Sequence, residues 1–305
     1  MFNQDDGPIE ISVVLRSYND ANLLPYTLKS LDEQKGVRVN LIVFESASTD
    51  GSKEIIEKHG YSRIKHLEPG TYHSSTVLNQ GVKWAETEFV AFVNSDAILL
   101  SDDVLLKLIG PLKSNSMCCG TFARQVVRAD ASVLTKLDHY VAFDHREQLG
   151  DKCDHMSLVV SMIRRSCWEK IKFEPSLTYA EDYVWSSHVK AAGFELEYVK
   201  EAIVEHSHNY SNDEIYRRSY GDAAAIKFLS TSPPNNNLLT GVVIPYCKRI
   251  LRDITRLYDM GELASLGPLL LYRWYNSLGS WHGERDAWIA RELDSSSKQP
   301  TAKKR

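Results

Sequence analysis

The chain has 305 residues, 43% of them hydrophobic and 25% charged, close to the averages of soluble globular proteins. That excludes global disorder and collagen-like repeats, and the length allows one large domain or two ordinary ones. The 36 basic and 40 acidic side chains leave a net charge of −4, which gives nucleic acid no electrostatic footing as the main partner. No apolar run reaches the roughly 18 residues of a membrane-spanning helix. The opening Met1-Phe-Asn-Gln-Asp-Asp-Gly-Pro8 has neither the basic nor the apolar part of a signal peptide. The five cysteines (118, 119, 153, 167 and 247) are odd in number and form no Cys-x-x-Cys pair. Free thiols in a reducing cytoplasm are therefore expected.

The first hundred residues alternate short apolar runs with helical patterns. Ile11-Ser-Val-Val-Leu15 has the continuous apolar character of a buried strand. Asp20 is placed to cap a helix whose Leu24, Leu28 and Leu31 recur at i, i+4 and i+7. Val37 to Phe44 forms a second strand, Ser46 to Gly51 a turn, and Ile55 and Ile56 lie on the helix it opens. Arg63 to Leu67 is a short third strand. Val77, Leu78, Gly81, Val82 and Ala85 share one helical face, and Phe89-Val-Ala-Phe-Val93 is the most apolar strand. Strict alternation of this kind predicts a mostly parallel sheet with helices on both faces, whose ligands lie beyond the carboxyl ends of the strands. Arg16-Ser-Tyr-Asn19, Glu45-Ser46 and Asn94-Ser-Asp96 stand at three such ends. No Gly-x-Gly-x-x-Gly follows the first strand and no P-loop sequence occurs, which counts against dinucleotide dehydrogenases and P-loop NTPases.

From about residue 115 the pattern becomes mixed. Met117 to Ala123 and Ser157 to Ile163 are predicted strands, separated by a polar segment with Asp138, His139, Asp144 and His145. A helix is expected from Glu181 to Ala192, closed by Gly193, and two short strands, Glu195 to Val199 and Ala202 to Glu205, lead into His206-Ser-His208. Beyond Tyr220 the sequence is helical and aromatic, broken at Ser232-Pro-Pro and at Gly267-Pro268. A basic tail from 295 to 305 is expected to be disordered.

Five pieces, in this order, resemble a family 2 glycosyltransferase with the GT-A fold. They are Ser12-Val-Val-Leu-Arg-Ser-Tyr-Asn19, Glu45-Ser-Ala-Ser-Thr-Asp-Gly51, Asn94-Ser-Asp96, Tyr179-Ala-Glu-Asp-Tyr-Val-Trp185 and His206-Ser-His208. Three further segments, Ala123-Arg-Gln-Val-Val-Arg-Ala-Asp-Ala131, Ile163-Arg-Arg-Ser-Cys-Trp168 and Val204-Glu-His-Ser-His-Asn-Tyr210 followed by Tyr216-Arg-Arg-Ser-Tyr-Gly221, resemble the rhamnosyltransferase-type branch that builds bacterial surface polysaccharides. The resemblance implies a catalytic domain over 1–225, a helical extension over 226–294 and the tail. It also implies a cytoplasmic enzyme, with peripheral contact at the inner face of the membrane as an option. Its reaction would be inverting transfer of a sugar, L-rhamnose among the candidates. The donor would be a dTDP-, UDP- or GDP-sugar, and the acceptor a saccharide or lipid-linked saccharide.

Such a transfer needs a base for the acceptor hydroxyl, charge stabilisation for the departing diphosphate and a nucleotide pocket. Asp96 is the expected ligand of Mn²⁺ or Mg²⁺, with His206 or His208 supplying a second donor. Asn94 stands where the family's Asp-x-Asp motif has its first carboxylate, leaving a ribose hydroxyl or a metal-bound water as its partner. Asp182, paired with Glu181 at a helix start, is the candidate base, because the helix dipole favours an ionised carboxylate there. Ser17, Tyr18, Glu45, His73, Asn94 and Ser95 are expected around the nucleotide, with Asn79 a weaker candidate. Arg164, together with Arg124 and Arg165, is expected to clamp phosphate.

Tyr246, Ile250, Leu251, Ile254 and Leu257 form a stripe flanked by Lys248, Arg249, Arg252 and Arg256. Packing within the chain or on a partner subunit is the favoured use of that stripe, and a membrane-surface helix the alternative. Tyr272, Trp274, Tyr275, Trp281 and Trp288 offer an oligomer interface. A rival from another class is a catalytically dead relative acting as a binding or scaffold subunit, suggested by Asn94. A nucleotidyltransferase is a weaker one.

Overall fold

The computed structural model describes residues 7–60, 63–144 and 155–297. The opening residues 1–6, His145, Cys153 and the tail from 298 onward lie outside the described residues. The chain divides into two compact units. The first comprises 1–131, 138–177 and 181–208, and the second comprises 132–137, 178–180 and 209–305. The change of unit after His208 precedes the boundary at 225 expected from the sequence.

The first unit is built on one eight-stranded mixed sheet in the order β3-β2-β1-β4-β7-β6-β8-β5. Its strands are β1 (Ile9–Ser17), β2 (Val37–Glu45), β3 (Arg63–His66), β4 (Phe89–Asn94), β5 (Ile98–Leu99), β6 (Cys118–Val126), β7 (Val160–Arg164) and β8 (Glu195–Glu205). The two short strands expected after residue 195 are one strand, β8. β1 pairs in parallel with β2 and β4, β2 with β3, and β6 with β8, while β7 runs antiparallel to both β4 and β6. Two reversals across β7 restore the original direction. β1, β2, β3, β4, β6 and β8 therefore all end on one edge of the sheet, and β7 ends on the opposite edge.

The helices of this unit are α1 (Leu24–Asp32), α2 (Ser52–His59), α3 (Ser74–Trp84), α4 (Val104–Ser114), α6 (Arg165–Lys170) and α7 (Glu181–Ala191); α5 (Val133–His139) lies across the division. The period-2 geometry of a strand separates its side chains into two layers. Ile11, Val13 and Leu15 join Leu24, Leu28 and Leu31 of α1, Ile56 of α2 and the α4 leucines on one side. Val14 joins Val77, Leu78 and Val82 of α3, Trp168 of α6 and Trp185 and Val189 of α7 on the other. α1, α2, α3 and α7 stand where the sequence pattern placed helices, whereas α4 and α6 had no counterpart in it. Trp185 is fully buried, a size of side chain whose truncation to alanine typically costs about 3–5 kcal/mol, so α7 is firmly seated. Gly193, at φ +84°, follows α7 in the left-handed region as a C-terminal cap requires.

Two expectations fail here. Leu23, not Asp20, occupies the cap position of α1, and no side chain caps it. Free thiols do not hold throughout: Cys119 of β6 and Cys167 of α6 are joined by a disulfide, whereas Cys118 and Cys247 are free.

The second unit contains α8 (Asn212–Phe228), α9 (Ile244–Asp259) and α10 (Leu266–Ser297). Ser211 and Glu214 form a reciprocal capping box that fixes the start of α8. Gly279 of α10 lies so close to α8 that an added Cβ would stand 2.4 Å from the Tyr216 carbonyl oxygen, so only glycine permits this approach. Gly267-Pro268 opens α10 rather than breaking a helix, as a proline in a first turn can. The α9 stripe is used internally: Ile250 and Leu257 are buried with Leu137 and Leu269, while Leu251 faces outward. The aromatic residues are engaged within this unit too. Trp281 donates to the Asn235 carbonyl at 2.7 Å, and Trp274 meets Tyr246 edge-on. Among the described residues, no helix is long and apolar enough to cross a membrane.

Candidate functional site

Five strand ends deliver the site. A cavity of about 490 Å³ opens beyond them, lined by Arg16, Ser17, Tyr18 and Asp20 after β1, Ser46 after β2, Gly70 and Tyr72 after β3, Asn94, Ser95 and Asp96 after β4, and His208 after β8. That size suits a small-molecule ligand. Tyr18 and Tyr72 are 61% and 42% exposed, two aromatic faces at the rim.

Asp96, His206 and His208 present three ligand atoms within 4.8 Å of one another. Both histidines aim at one oxygen: the His206 Nε2 lies 3.5 Å and the His208 Nε2 3.3 Å from Asp96 Oδ2. The Arg128 Nη2 reaches the same oxygen at 3.0 Å. The Nδ1 of His206 is 2.9 Å from Gln125 Oε1, an acceptor, which places the proton on Nδ1. The Nε2 lone pair is then directed at the cluster, and this buried atom has no hydrogen-bond partner among the described residues. Burial pushes the imidazole down to about 3 despite the Asp96 charge, so it is neutral and able to ligate. For Asp96, burial works against ionisation. The Arg128 guanidinium and the His208 imidazole beside it offset that penalty, and the carboxyl is held below its ordinary range. One carboxylate and two imidazoles with an orphaned buried nitrogen fit a divalent cation such as Mn²⁺ or Mg²⁺. Geometry does not single out one histidine: the Nε2 atoms of both lie close to the same Asp96 oxygen.

The other sequence-derived candidates divide sharply. Ser17, Tyr18, Asn94 and Ser95 line the cavity. Asn94 Oδ1 accepts from Arg16 Nη2 at 2.6 Å, so its acceptor is engaged by the protein itself. Glu45 is 1% exposed and lies behind the wall, where its Oε1 accepts from the Ser48 amide at 2.6 Å. It therefore shapes the Ser46–Ser48 loop, in which Ala47 adopts φ +56°, rather than lining the cavity. His73 precedes α3 and is not among the lining residues; its neighbour Tyr72 is. Asn79 is likewise structural, bonded to Trp168 and to the Phe173 backbone.

Arg164 is corrected outright. As the last residue of β7 it stands opposite Phe89, at the amino end of β4, on the edge away from the cavity. There it donates to Glu88 at 2.5 Å and to the Leu112 carbonyl. Arg165 is similarly occupied, donating to the Ala85 carbonyl at 2.6 Å.

Glu181 and Asp182 open α7, and their side chains have different partners. Glu181 accepts from the Ser74 hydroxyl and lies 3.7 Å from Arg16 Nη1, tying α7 to the cavity wall through Arg16. Asp182 Oδ1 accepts from the Tyr183 amide at 2.8 Å. Three participants escaped sequence reasoning. They are Arg16, Tyr72 beside His73, and Asp20, which the sequence pattern suggests as a helix cap; all three line the cavity. The Asp20 carboxylate accepts from the Ser95 hydroxyl inside the cavity. Burial raises its pKa, the Ser95 bond lowers it, and the Asp96 charge raises it again, leaving it above the ordinary value.

Glu45 gives a pH-dependent prediction. Burial disfavours its charge, but the Ser48 amide and hydroxyl and the His66 imidazole outweigh burial and lower its pKa below 4.5. A depressed carboxylate contributes stability above its unfolded pKa and loses it as pH falls through the folded one. Glu45→Gln is expected to destabilise the fold by about 1.5–3 kcal/mol at pH 7. That difference should shrink as the pH falls below 4.5, as thermal melts of both proteins across the range would reveal. A constant gap would contradict the charge-based account.

Comparison with known proteins agrees with this arrangement. The family described as Glycosyl transferase family 2 matches residues 12–171, more than half of the chain. Over 223 residues the chain is 26% identical to the O-antigen chain rhamnosyltransferase RfbN of Salmonella typhimurium, covering 70% of this chain and 71% of that protein. It is 28% identical over 195 residues to the O-antigen chain rhamnosyltransferase WbaN of Salmonella anatum, covering 59% of this chain and 60% of that one. Among solved structures, the mannosyltransferase PcManGT from Pyrobaculum calidifontis, in complex with GDP-Man and Mn²⁺, superposes with a TM-score of 0.59. It is 18% identical over 97% of this chain and 89% of its own. Glucosyl-3-phosphoglycerate synthase from Mycobacterium tuberculosis, in complex with Mg²⁺ and UDP, gives 0.52 at 20% identity over 77% and 82%. At such identities the structures speak for the fold, which is GT-A. The family match spans β1 to α6 and includes the Asn94-Ser95-Asp96 strand end, and on that ground the chain belongs to glycosyl transferase family 2.

Proposed function

We propose that the protein is an inverting glycosyltransferase that moves a sugar from a nucleoside-diphosphate donor to a saccharide or lipid-linked saccharide during surface-polysaccharide assembly. L-rhamnose from a dTDP donor is the first donor to test, because RfbN and WbaN are named rhamnosyltransferases. The observation that carries the reading is the convergence of Asp96, His206 and His208, of which Asp96 and His208 line the strand-end cavity. A divalent cation held by these three supplies Lewis-acid neutralisation of the charge that develops on the departing diphosphate.

The remaining roles fall to side chains of the chain itself. Tyr18 and Tyr72 offer their faces to the nucleobase, and Ser17 and Ser46 their hydroxyls to the nucleoside. Arg16 sits between Asn94 and Glu181 and supplies positive charge to the cavity. Asp182 accepts the proton of the acceptor hydroxyl as that oxygen attacks the anomeric carbon and the bond to the diphosphate breaks. Glu181 positions this machinery through Arg16 and Ser74.

Calorimetric titration with UDP, dTDP and GDP, each with and without Mn²⁺, tests the reading. One diphosphate is expected to bind with Mn²⁺ at least about tenfold more tightly than without it, since the cation offsets the charge of the ligand. The missing carboxylate at Asn94 favours a second reading, an inactive binding subunit. Absence of binding by all three, or binding without turnover of any cognate sugar donor, would establish that alternative.

A further inference from the structure

The ligand set contains a cation of its own. Arg128 follows β6, and its side chain is 13% exposed. Its backbone amide donates to the Ser207 hydroxyl at 3.0 Å, and its Nη1 donates to the Ser207 carbonyl between the two histidines. Its Nη2 donates to both the Asp96 carbonyl and, at 3.0 Å, Asp96 Oδ2. One guanidinium thus bolts the strand end that carries Asp96 to the strand end that carries His206 and His208. It does so at the very oxygen on which both imidazoles converge.

The charge count sharpens the point. The carboxylate that Asn94 lacks is not replaced within the cluster, which offers one carboxylate and two imidazoles. Asp96 and Arg128 cancel, so an arriving dication meets a set with no net negative charge and a resident cation beside its only carboxylate.

We propose that Arg128 is a positioning residue that holds the ligand set together and competes with the divalent cation for Asp96, so that cation binding is weak until an anionic diphosphate accompanies it. This rests on the assignment of Asp96, His206 and His208 as cation ligands. The planar fork keeps the three donors in register before the cation arrives, and the positive charge sets the condition under which the cation stays.

Titration of Mn²⁺ alone into the full chain, followed by the electron-paramagnetic signal of free Mn²⁺, tests this without any sugar donor. Arg128→Gln removes the charge and keeps an amide donor for the Ser207 or Asp96 carbonyl. It should bind Mn²⁺ at least about tenfold more tightly than the unmodified chain. Arg128→Lys keeps the charge, and its affinity should stay within about threefold of the unmodified chain. Should the glutamine variant fail to fold, Arg128→Met carries the same test with an apolar side chain of similar length. Neutral variants that bind Mn²⁺ no more tightly, or a lysine variant as tight as a neutral one, would overturn the proposal. The nucleotide titrations stand apart from this result, so failure here is distinguishable from failure of the glycosyltransferase reading.

Discussion

Asp96→Asn is expected to reduce sugar transfer by about 10²- to 10³-fold, the usual cost of losing one electrostatic stabiliser of a developing anion. The substitution keeps the volume and leaves a carbonyl oxygen to accept from Arg128 Nη2, so the bond at 3.0 Å survives and the fold is not put at risk. It removes the only negative charge of the ligand set, leaving two imidazoles and a guanidinium around a neutral amide. Affinity for the nucleoside diphosphate in Mn²⁺ should then fall to the value measured without metal, whereas affinity in chelator should change little. Calorimetry under both conditions reads the difference. A variant that keeps the full response to Mn²⁺ would remove Asp96 from the ligand set.

The second large effect is expected at Asp182. Asp182→Asn should lower kcat by about 10²- to 10⁴-fold, the range that general-base catalysis contributes. The affinity for the nucleoside diphosphate should stay within about twofold, the scatter of a substitution that leaves a ligand's contacts intact. The amide can still accept from the Tyr183 backbone, so the first turn of α7 keeps its geometry, and buried Trp185 holds the helix in place. A parallel Glu181→Gln variant separates the two neighbours: it weakens the ion pair with Arg16 and should act on donor affinity as well as on rate. Equal losses of affinity in both variants would deny Asp182 a role in the chemistry alone.

The strands and helices were legible where their signal was local. Leu24, Leu28 and Leu31 announce a helix face, and they do pack together beneath the sheet. The nearness of Asp96, His206 and His208 was legible because they follow two strands at motif spacing. What escaped depends on pairings between distant segments. Asp20 sits where a cap would, but a hydroxyl 75 residues away draws its carboxylate into the cavity. Arg164 has the right chemistry for phosphate, yet the antiparallel run of β7 carries it to the wrong edge. Arg128 gains its place only because β6 and β8 pair in parallel, ending side by side so that one guanidinium spans both ends. Residue type and order cannot show strand direction, and direction decides which ends meet.

The bond between Cys119 and Cys167 changes what a purified sample represents. It closes a stretch of chain 48 residues long that leaves the sheet along β6, carries Arg128 and returns through β7. Closing a loop of that length restricts the unfolded chain by roughly 4 kcal/mol in the entropy model. A routine thiol reductant in the buffer would lift that restriction and yield a different starting material. Metal affinities, melting curves and rates gathered with and without reductant therefore belong to two molecules, and the state of this one bond has to be established by mass before the numbers are compared.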